Sequence, residues 1–269
     1  MLTYSYKTTQ LSIIFALVYS QAYAGAWTQP KHSLFLSAGL GYYAADKFYD
    51  INGNSTDIPT YTKYDLNPYV EYGFSDNLTL GGSARLEYID QSSQQNLGLG
   101  DSHLFARQRV YRSDFLTLSL QPGVLIPRLY QSDDAPQVGS DSAAYELKAL
   151  AGINFDAFDC THYAGVDGGY RLRGGDEDDQ FLLDLSLGSN ISEGWTILAQ
   201  NFNVISSDLP NLAASSITAE NDYTLSKIQL SVVNELTPAT SLQVGGYMDV
   251  YSRNTGKGQG ALISIWRTF

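Results

Sequence analysis

The sequence is poor in charge, cysteine and histidine, and it lacks any long apolar run. Charged residues make up 16% of its 269 positions, well below the roughly 25% of an ordinary soluble domain. Lys and Arg number 16 against 28 Asp and Glu, a formal net charge of −12, and the basic residues form no block. That excludes a nucleic-acid binder, whose affinity comes largely from basic side chains that neutralise phosphates. The single Cys160 can neither close an intrachain disulfide nor build a thiolate metal site. No apolar stretch approaches the roughly 18 residues that a helical membrane span needs. What the chain holds instead is 20 Tyr, 11 Phe and 24 Gly.

Residues 1–24 read as a secretory leader. Lys7 gives a positive start, Leu11 to Tyr19 is a short apolar core, and Ala22-Tyr23-Ala24 fits a small-residue cleavage site. Cleavage there starts the mature chain at Gly25 and removes one Lys, leaving a charge of 15 − 28 = −13. The expected organisation is a leader over 1–24, a periplasmic N-terminal segment over 25–32 and a transmembrane barrel over 33–269.

From Ser33 onward, stretches of about ten residues carry apolar side chains at every second position, the period of a strand with unlike faces. Leu34, Leu36, Ala38, Leu40 and Tyr42 share one face while Ser33, Ser37, Gly39 and Gly41 share the other. Tyr64, Leu66, Pro68, Val70 and Tyr72 oppose Lys63, Asp65, Asn67, Tyr69 and Glu71. A third stretch sets Leu78, Leu80, Ala84, Leu86 and Tyr88 against Thr79, Ser83, Arg85 and Glu87. The same reading places strands near 102–111, 116–126, 144–155, 162–173, 180–190, 195–205, 224–235, 241–251 and 261–269, twelve in all.

The connections alternate between tight and long. Tight ones are 75–77, 112–114, 156–160, 192–194 and 237–239; long ones are 46–60, 90–98, 128–142, 174–179, 206–222 and 254–259. An even number of two-faced strands with alternating turn lengths predicts an all-β, 12-stranded antiparallel transmembrane β-barrel of the outer-membrane type. Closure is required there, because an open edge leaves backbone groups unpaired in hydrocarbon. The chain ends in Phe269, with Ile263 and Ile265 on its face and Arg267 interrupting it. A carboxy-terminal aromatic of this kind resembles the signal that the barrel-assembly machinery reads in outer-membrane proteins.

Three stretches carry a further resemblance: Gly25 to Lys31 (GAWTQPK), Ala45 to Asp50 (ADKFYD) and Glu71 to Thr79 (EYGFSDNLT). They resemble small outer-membrane barrels of the phenol-degradation meta-pathway transporter-like group and of the XagA-like group of exopolysaccharide and biofilm loci. The resemblance implies a barrel and a transport role; its motifs specify the fold far better than the cargo.

With every second residue pointing inward, the expected lumen collects Lys63, Arg85, Arg107, Arg109, Lys148, Arg171, Arg173, Lys227 and Arg253. It faces them with Asp65, Glu71, Glu87, Asp101, Glu146, Asp167, Asp184 and Asp249, so nine positive and eight negative groups nearly cancel. Such a lumen serves either as a salt-bridged filling or as a polar passage in which Arg107, Arg109, Arg171 and Arg173 hold an anionic or hydroxylated solute. Inward Tyr43, Tyr61, Tyr69, Tyr163, Tyr247 and Tyr251 are candidates for stacking a ring, whereas outward Tyr42, Tyr72, Tyr88 and Tyr170 suit interface girdles. The expected selectivity residues are Lys63, Asp65, Arg85, Glu87, Arg107, Arg109, Lys148, Asp167, Arg171, Arg173, Lys227 and Asp249, together with Tyr69 and Tyr247.

The remaining acids gather in long loops, among them Asp46, Asp50, Asp133, Asp134, Asp141, Asp176, Glu177, Asp178, Asp179, Asp208, Glu220 and Asp222. They make a negative outer rim facing outer-membrane lipid and lipopolysaccharide. No cofactor motif, metal-ligand spacing or catalytic constellation stands out: Ser102 and His103 are adjacent on a strand and point to opposite faces. The sequence therefore predicts a non-enzymatic passive pore for a small solute, aromatic or hydroxylated. The alternatives are an outer-membrane component of an exopolysaccharide or biofilm locus, or a plugged structural or adhesive barrel with acidic loops.

Overall fold

The computed structural model describes residues 25–92, 94–128, 136–175, 177–208 and 222–269; the leader and the loop acids Asp133, Asp134, Asp176 and Glu220 lie outside them. The first strands are β1 (Leu34–Tyr49), β2 (Ser55–Ser75), β3 (Leu78–Ser83), β4 (Leu86–Gln91), β5 (Gln94–Leu99), β6 (Ser102–Arg112) and β7 (Leu116–Ile126). The rest are β8 (Ala144–Ala157), β9 (Cys160–Arg173), β10 (Gln180–Ser192), β11 (Trp195–Ser206), β12 (Thr224–Thr237), β13 (Thr240–Arg253) and β14 (Thr255–Thr268). The described residues contain no helix.

Every pairing is antiparallel, and β1 pairs with both β2 and β14, so the sheet closes on itself. β3 and β4 both pair with β2 and are two halves of one crossing strand, interrupted at Ala84 and Arg85. β5 and β6 are likewise halves of the next, interrupted at Gly100 and Asp101. The interruptions sit side by side, because Gly100 N donates to the Arg85 carbonyl at 2.8 Å. With each broken strand counted once, the wall is a closed 12-stranded barrel.

Register follows from the alternation. Leu36 lies opposite Val70, Leu40 opposite Leu66 and Tyr42 opposite Tyr64 on the outer face, while Gly41 meets Asp65 and Tyr43 meets Lys63 inside. A slip by one residue would turn Asp65 and Lys63 into lipid, so the pattern admits one register. The five expected tight turns all join strands. One of them is Phe158-Asp159, where φ is 52° and 58°; two left-handed residues in a two-residue loop make the turn whose twist matches a hairpin.

Three expected long loops are largely strand. Only residues 50–54 separate β1 from β2, and only Asn254 separates β13 from β14. Asp50 tightens the first of these turns by accepting the Asn52 and Asn54 amides at 2.9 and 2.8 Å. The Asn54 side chain and amide hold the Asp50 carboxyl below its ordinary range. The expected 90–98 loop is the β4–β5 hairpin. In each case the ladder continues past the membrane, where both faces meet water and the alternation that marks a strand fades.

The outer face is a band of exposed apolar side chains, including Leu40, Leu66, Leu104, Leu147, Leu185, Leu230, Val244 and Ile263. Exposed aromatics flank it, with Phe74, Tyr111, Phe115, Trp195 and Phe269 near the tight turns and Tyr64, Tyr145, Tyr170 and Phe181 toward the other end. Arg267 belongs to the first group, its guanidinium lying over the Phe269 ring at 4.8 Å. It therefore sits at the headgroup level, where a long cationic side chain is tolerated. Leu185→Arg, midway along β10, is expected to destabilise the membrane-inserted barrel by about 2–4 kcal/mol. Denaturant titration in bilayers checks this, and Ser186→Arg on the lumen face is the control expected to cost far less.

Candidate functional site

The interior inverts the polarity of a soluble core. Glu71, Thr79, Arg107, Thr117, Ser119, Gln121, Glu146 and Asp249 are buried while leucines face outward. The periplasmic half of this interior is occupied by the chain's own N-terminal segment.

Of residues 25–32, expected to lie in the periplasm, 25–29 run against the inner wall, while Pro30, Lys31 and His32 are exposed at the periplasmic mouth beside the Asp76 turn. Ser119 Oγ donates to the Ala26 carbonyl, Arg107 Nη1 to the Trp27 carbonyl at 2.9 Å, and the Gln29 amide to Thr79 Oγ1 at 2.7 Å. Gln29 Nε2 donates to Glu71 at 2.6 Å, and the His32 amide to the Gly73 carbonyl at 2.7 Å. Trp27 stands edge-on to Tyr163 at 5.8 Å and packs with Leu198, Val233 and Trp266 across the lumen. Two glycines make room for it. A methyl group at Gly152 would lie 2.4 Å from Trp27 Cη2, and one at Gly73 1.9 Å from the Pro30 oxygen. Local polarity accounts for this placement: Gln29 and backbone groups that lie outside any strand ladder find partners on a hydrogen-bonding wall that lipid could not supply.

Above the segment lies a charge network. Arg107 pairs with Glu71 at 2.9 Å and Gln121 at 2.9 Å, and Tyr69 donates to the same Glu71. Arg171 pairs with Glu146 at 2.9 Å and Gln180 at 2.9 Å. Lys148 bridges Glu146 at 3.5 Å and Asp184 at 3.2 Å. Asp167 lies directly across from Asp184.

The outer half is aromatic as well as charged. Lys227 Nζ sits over the rings of Tyr247 at 4.7 Å and Tyr43 at 5.4 Å, and 3.9 Å from Asp249. Tyr43 and Tyr247 are stacked at 6.3 Å, and the Tyr43 hydroxyl donates to Asp249 at 2.6 Å. Lys63 pairs with Glu87 at 3.2 Å on the facing wall. Part of the 127–143 connection turns inward here: fully buried Val138 packs on Tyr61 and Ile89, and Ser140 donates to Asp101 at 2.7 Å through its amide.

Of the expected lumen residues, the structure brings Arg107, Lys148, Asp167 and Arg171 into one zone and Lys63, Glu87, Lys227, Asp249 and Tyr247 into another, with Tyr69 below. Asp65 faces in beside Gly41. Arg109 lies at the periplasmic mouth, bonded to Asn77. Arg173 belongs to the outer rim, paired with Glu177 and with Asp222 at 2.8 Å. Arg85 is exposed at the β3–β4 interruption. Tyr251 and Arg253, expected inside, face outward with Arg253 over the Tyr251 ring at 5.6 Å. The β12–β13 ladder shifts between Ser226 and Lys227, and that bulge reverses the alternation beyond Asp249.

The expectation omitted the inward apolar layer of Phe35, Phe105, Leu198, Val233 and Trp266, and Trp27 with it. Its sequence signal was available as large apolar residues standing on the polar parity of their strands, as Trp266 does between Ile265 and Arg267.

No protein-family profile matches the sequence, and no curated protein matches it. Among solved structures it is similar to the COG4313 outer membrane channel from Pseudomonas putida F1, with a TM-score of 0.68 at 15% identity over 91% of this chain and 98% of that one. The fold is that of an outer-membrane β-barrel. The barrel also superposes on the NanC porin (TM-score 0.53, 9% identity, 86% of this chain and 98% of that one). It matches the translocator domain of autotransporter NalP from Neisseria meningitidis as well (0.53, 12% identity, 90% of each chain). At these identities the likeness lies in the barrel alone.

Proposed function

We propose that this chain is a passive outer-membrane channel for a small hydroxylated or aromatic solute, with no catalytic step. The observation that carries the reading is the closed wall, greasy outside and lined inside with ion pairs, because a polar lumen through an apolar barrel is a path for solutes that lipid excludes. The Tyr43–Tyr247 pair with Lys227 and Asp249 is the proposed selectivity site. Aromatic faces stack rings or sugar faces, and the ammonium and carboxylate give hydrogen bonds of both polarities. Lys63 and Glu87 extend it across the lumen, with Asp65 and Arg85 nearby. The likeness to a COG4313 outer membrane channel supports the channel reading. Delivery would follow cleavage after Ala24 and recognition of Phe269 by the assembly machinery, and the acidic rim would face lipopolysaccharide.

Planar-bilayer recording tests the proposal. Discrete conductance with a reversal potential that responds to lumen charge supports it; a silent barrel overturns it. Lys227→Gln removes one positive charge from the outer zone and is expected to shift the reversal potential toward cation selectivity. An unchanged potential would take Lys227 out of the path. A second reading is favoured by the filled periplasmic half: a barrel closed at rest, serving a polysaccharide or adhesion system through its acidic rim. Liposome swelling with small sugars separates the two, since a closed anchor gives none.

A further inference from the structure

Among the described residues the middle zone of the lumen is one positive charge short. Its carboxylates are Glu71, Glu146, Asp167 and Asp184; its cations are Arg107, Lys148 and Arg171, each within 3.5 Å of Glu71, Glu146 or Asp184. Among the described residues no cation lies at ion-pair distance from Asp167, and its buried Oδ1 has no hydrogen-bond partner. His103 does not supply the missing charge, because it faces Glu146 at 3.9 Å, where two cations already sit. An ionised carboxylate left like this in a confined site is costly unless something pairs with it.

Gly25 lies beside it. The position a Cβ would take on Gly25 is 3.7 Å from Asp167 Oδ1, so the Gly25 nitrogen, two bonds from that position, lies no more than about 6 Å from this oxygen. In the precursor this nitrogen is an amide. Hydrolysis of the Ala24–Gly25 bond consumes one water, leaves a carboxylate on Ala24 and leaves an α-ammonium on Gly25. We propose that Asp167 is the receptor for the α-ammonium of Gly25, so that leader cleavage supplies the fourth cation and latches the N-terminal segment inside the barrel. This goes beyond the channel reading and rests on cleavage after Ala24. The two neighbours of the latch hold the segment in place for it: Ser119 fixes the Ala26 carbonyl and Arg107 the Trp27 carbonyl.

The experiment uses the mature protein purified from outer membranes in detergent. Intact mass first gives its first residue. A start other than Gly25 removes the cleavage reading, and the latch with it, while leaving the channel reading to its own conductance test. With Gly25 first, the folded protein is treated near neutral pH with an acetylating N-hydroxysuccinimide ester, and modification of the Gly25 α-amine is followed by peptide mass. A free α-amine, whose pKa is about 8, reacts readily under these conditions. In the folded wild type, acylation should be about tenfold slower than in the Asp167→Asn variant, the rate change of one pKa unit. A chain with Gly-Ser inserted between Ala24 and Gly25 moves the ammonium away from Asp167. It should react at the fast rate with or without Asp167→Asn. Should Asp167→Asn fail to assemble, the insertion variant alone decides. Equal rates in the folded wild type, Asp167→Asn and the insertion variant overturn the latch.

Discussion

Removing residues 25–32 from the mature chain is expected to raise single-channel conductance several-fold while leaving the barrel assembled. The segment touches β2, β3, β6, β7 and β9 through hydrogen bonds and ring contacts, and Trp27 packs against residues of β11, β12 and β14. It thus crosses the periplasmic half of the lumen from wall to wall. The wall does not depend on it, since every strand is paired by its neighbours and β1 by β14. After deletion, Thr79, Glu71 and Ser119 face water, which satisfies them at little net cost because a hydrogen bond within a protein exchanges for one with solvent. Bilayer recordings beside a heat-modifiable mobility assay read both halves of this result. Unchanged conductance in a folded deletion variant would mean that the solute path avoids the segment.

The second large effect is expected at Arg107. It is 3% exposed and bonded to Glu71, Gln121 and the Trp27 carbonyl, with its guanidinium 5.2 Å from the centre of the Phe105 ring. Arg107→Ala leaves Glu71 buried without its cation, a change that costs about 3–5 kcal/mol where water cannot replace the lost partner. Pairing it with Glu71→Gln removes the orphaned charge, so the double variant should be more stable than Arg107→Ala alone. Arg107→Lys should rescue little, because one ammonium cannot reach three acceptors in a planar fork. Denaturant midpoints in detergent measure the cycle. A loss under about 1 kcal/mol for Arg107→Ala would show that water fills the site.

Much of this molecule is legible in its residues, and the limits have physical causes. The outer band from Leu34 to Tyr42 and from Tyr64 to Tyr72 reads directly, because lipid demands apolar side chains at each outward position. The turns at 75–77 and 192–194 read as well, since tight hairpins restrict their residues. The strand extensions around Asp46–Thr60 and Asn254–Gln259 do not, because solvent on both faces erases the alternation. Parity counting placed Arg107, Lys148, Asp167 and Arg171 on the inner face. It failed at Tyr251 and Arg253, where a single extra residue in the ladder reverses the count. The lodging of residues 25–32 is hidden from periodicity altogether: it depends on wall glycines at 73 and 152, more than a hundred positions away in the latter case. Nothing local to GAWTQPK announces a cavity for it.

The pairing of β1 with β14 has a consequence for how the molecule comes into being. Thirteen residue pairs, from Phe35 with Thr268 to Tyr49 with Thr255, join two strands that lie more than two hundred residues apart in the sequence. That seam needs both strands, so no intermediate that lacks β14 possesses a sealed cylinder, and a premature stop inside β14 strands two raw edges in the bilayer. Whatever fills the interior must therefore be positioned before the seam zips or thread in afterwards through the periplasmic mouth.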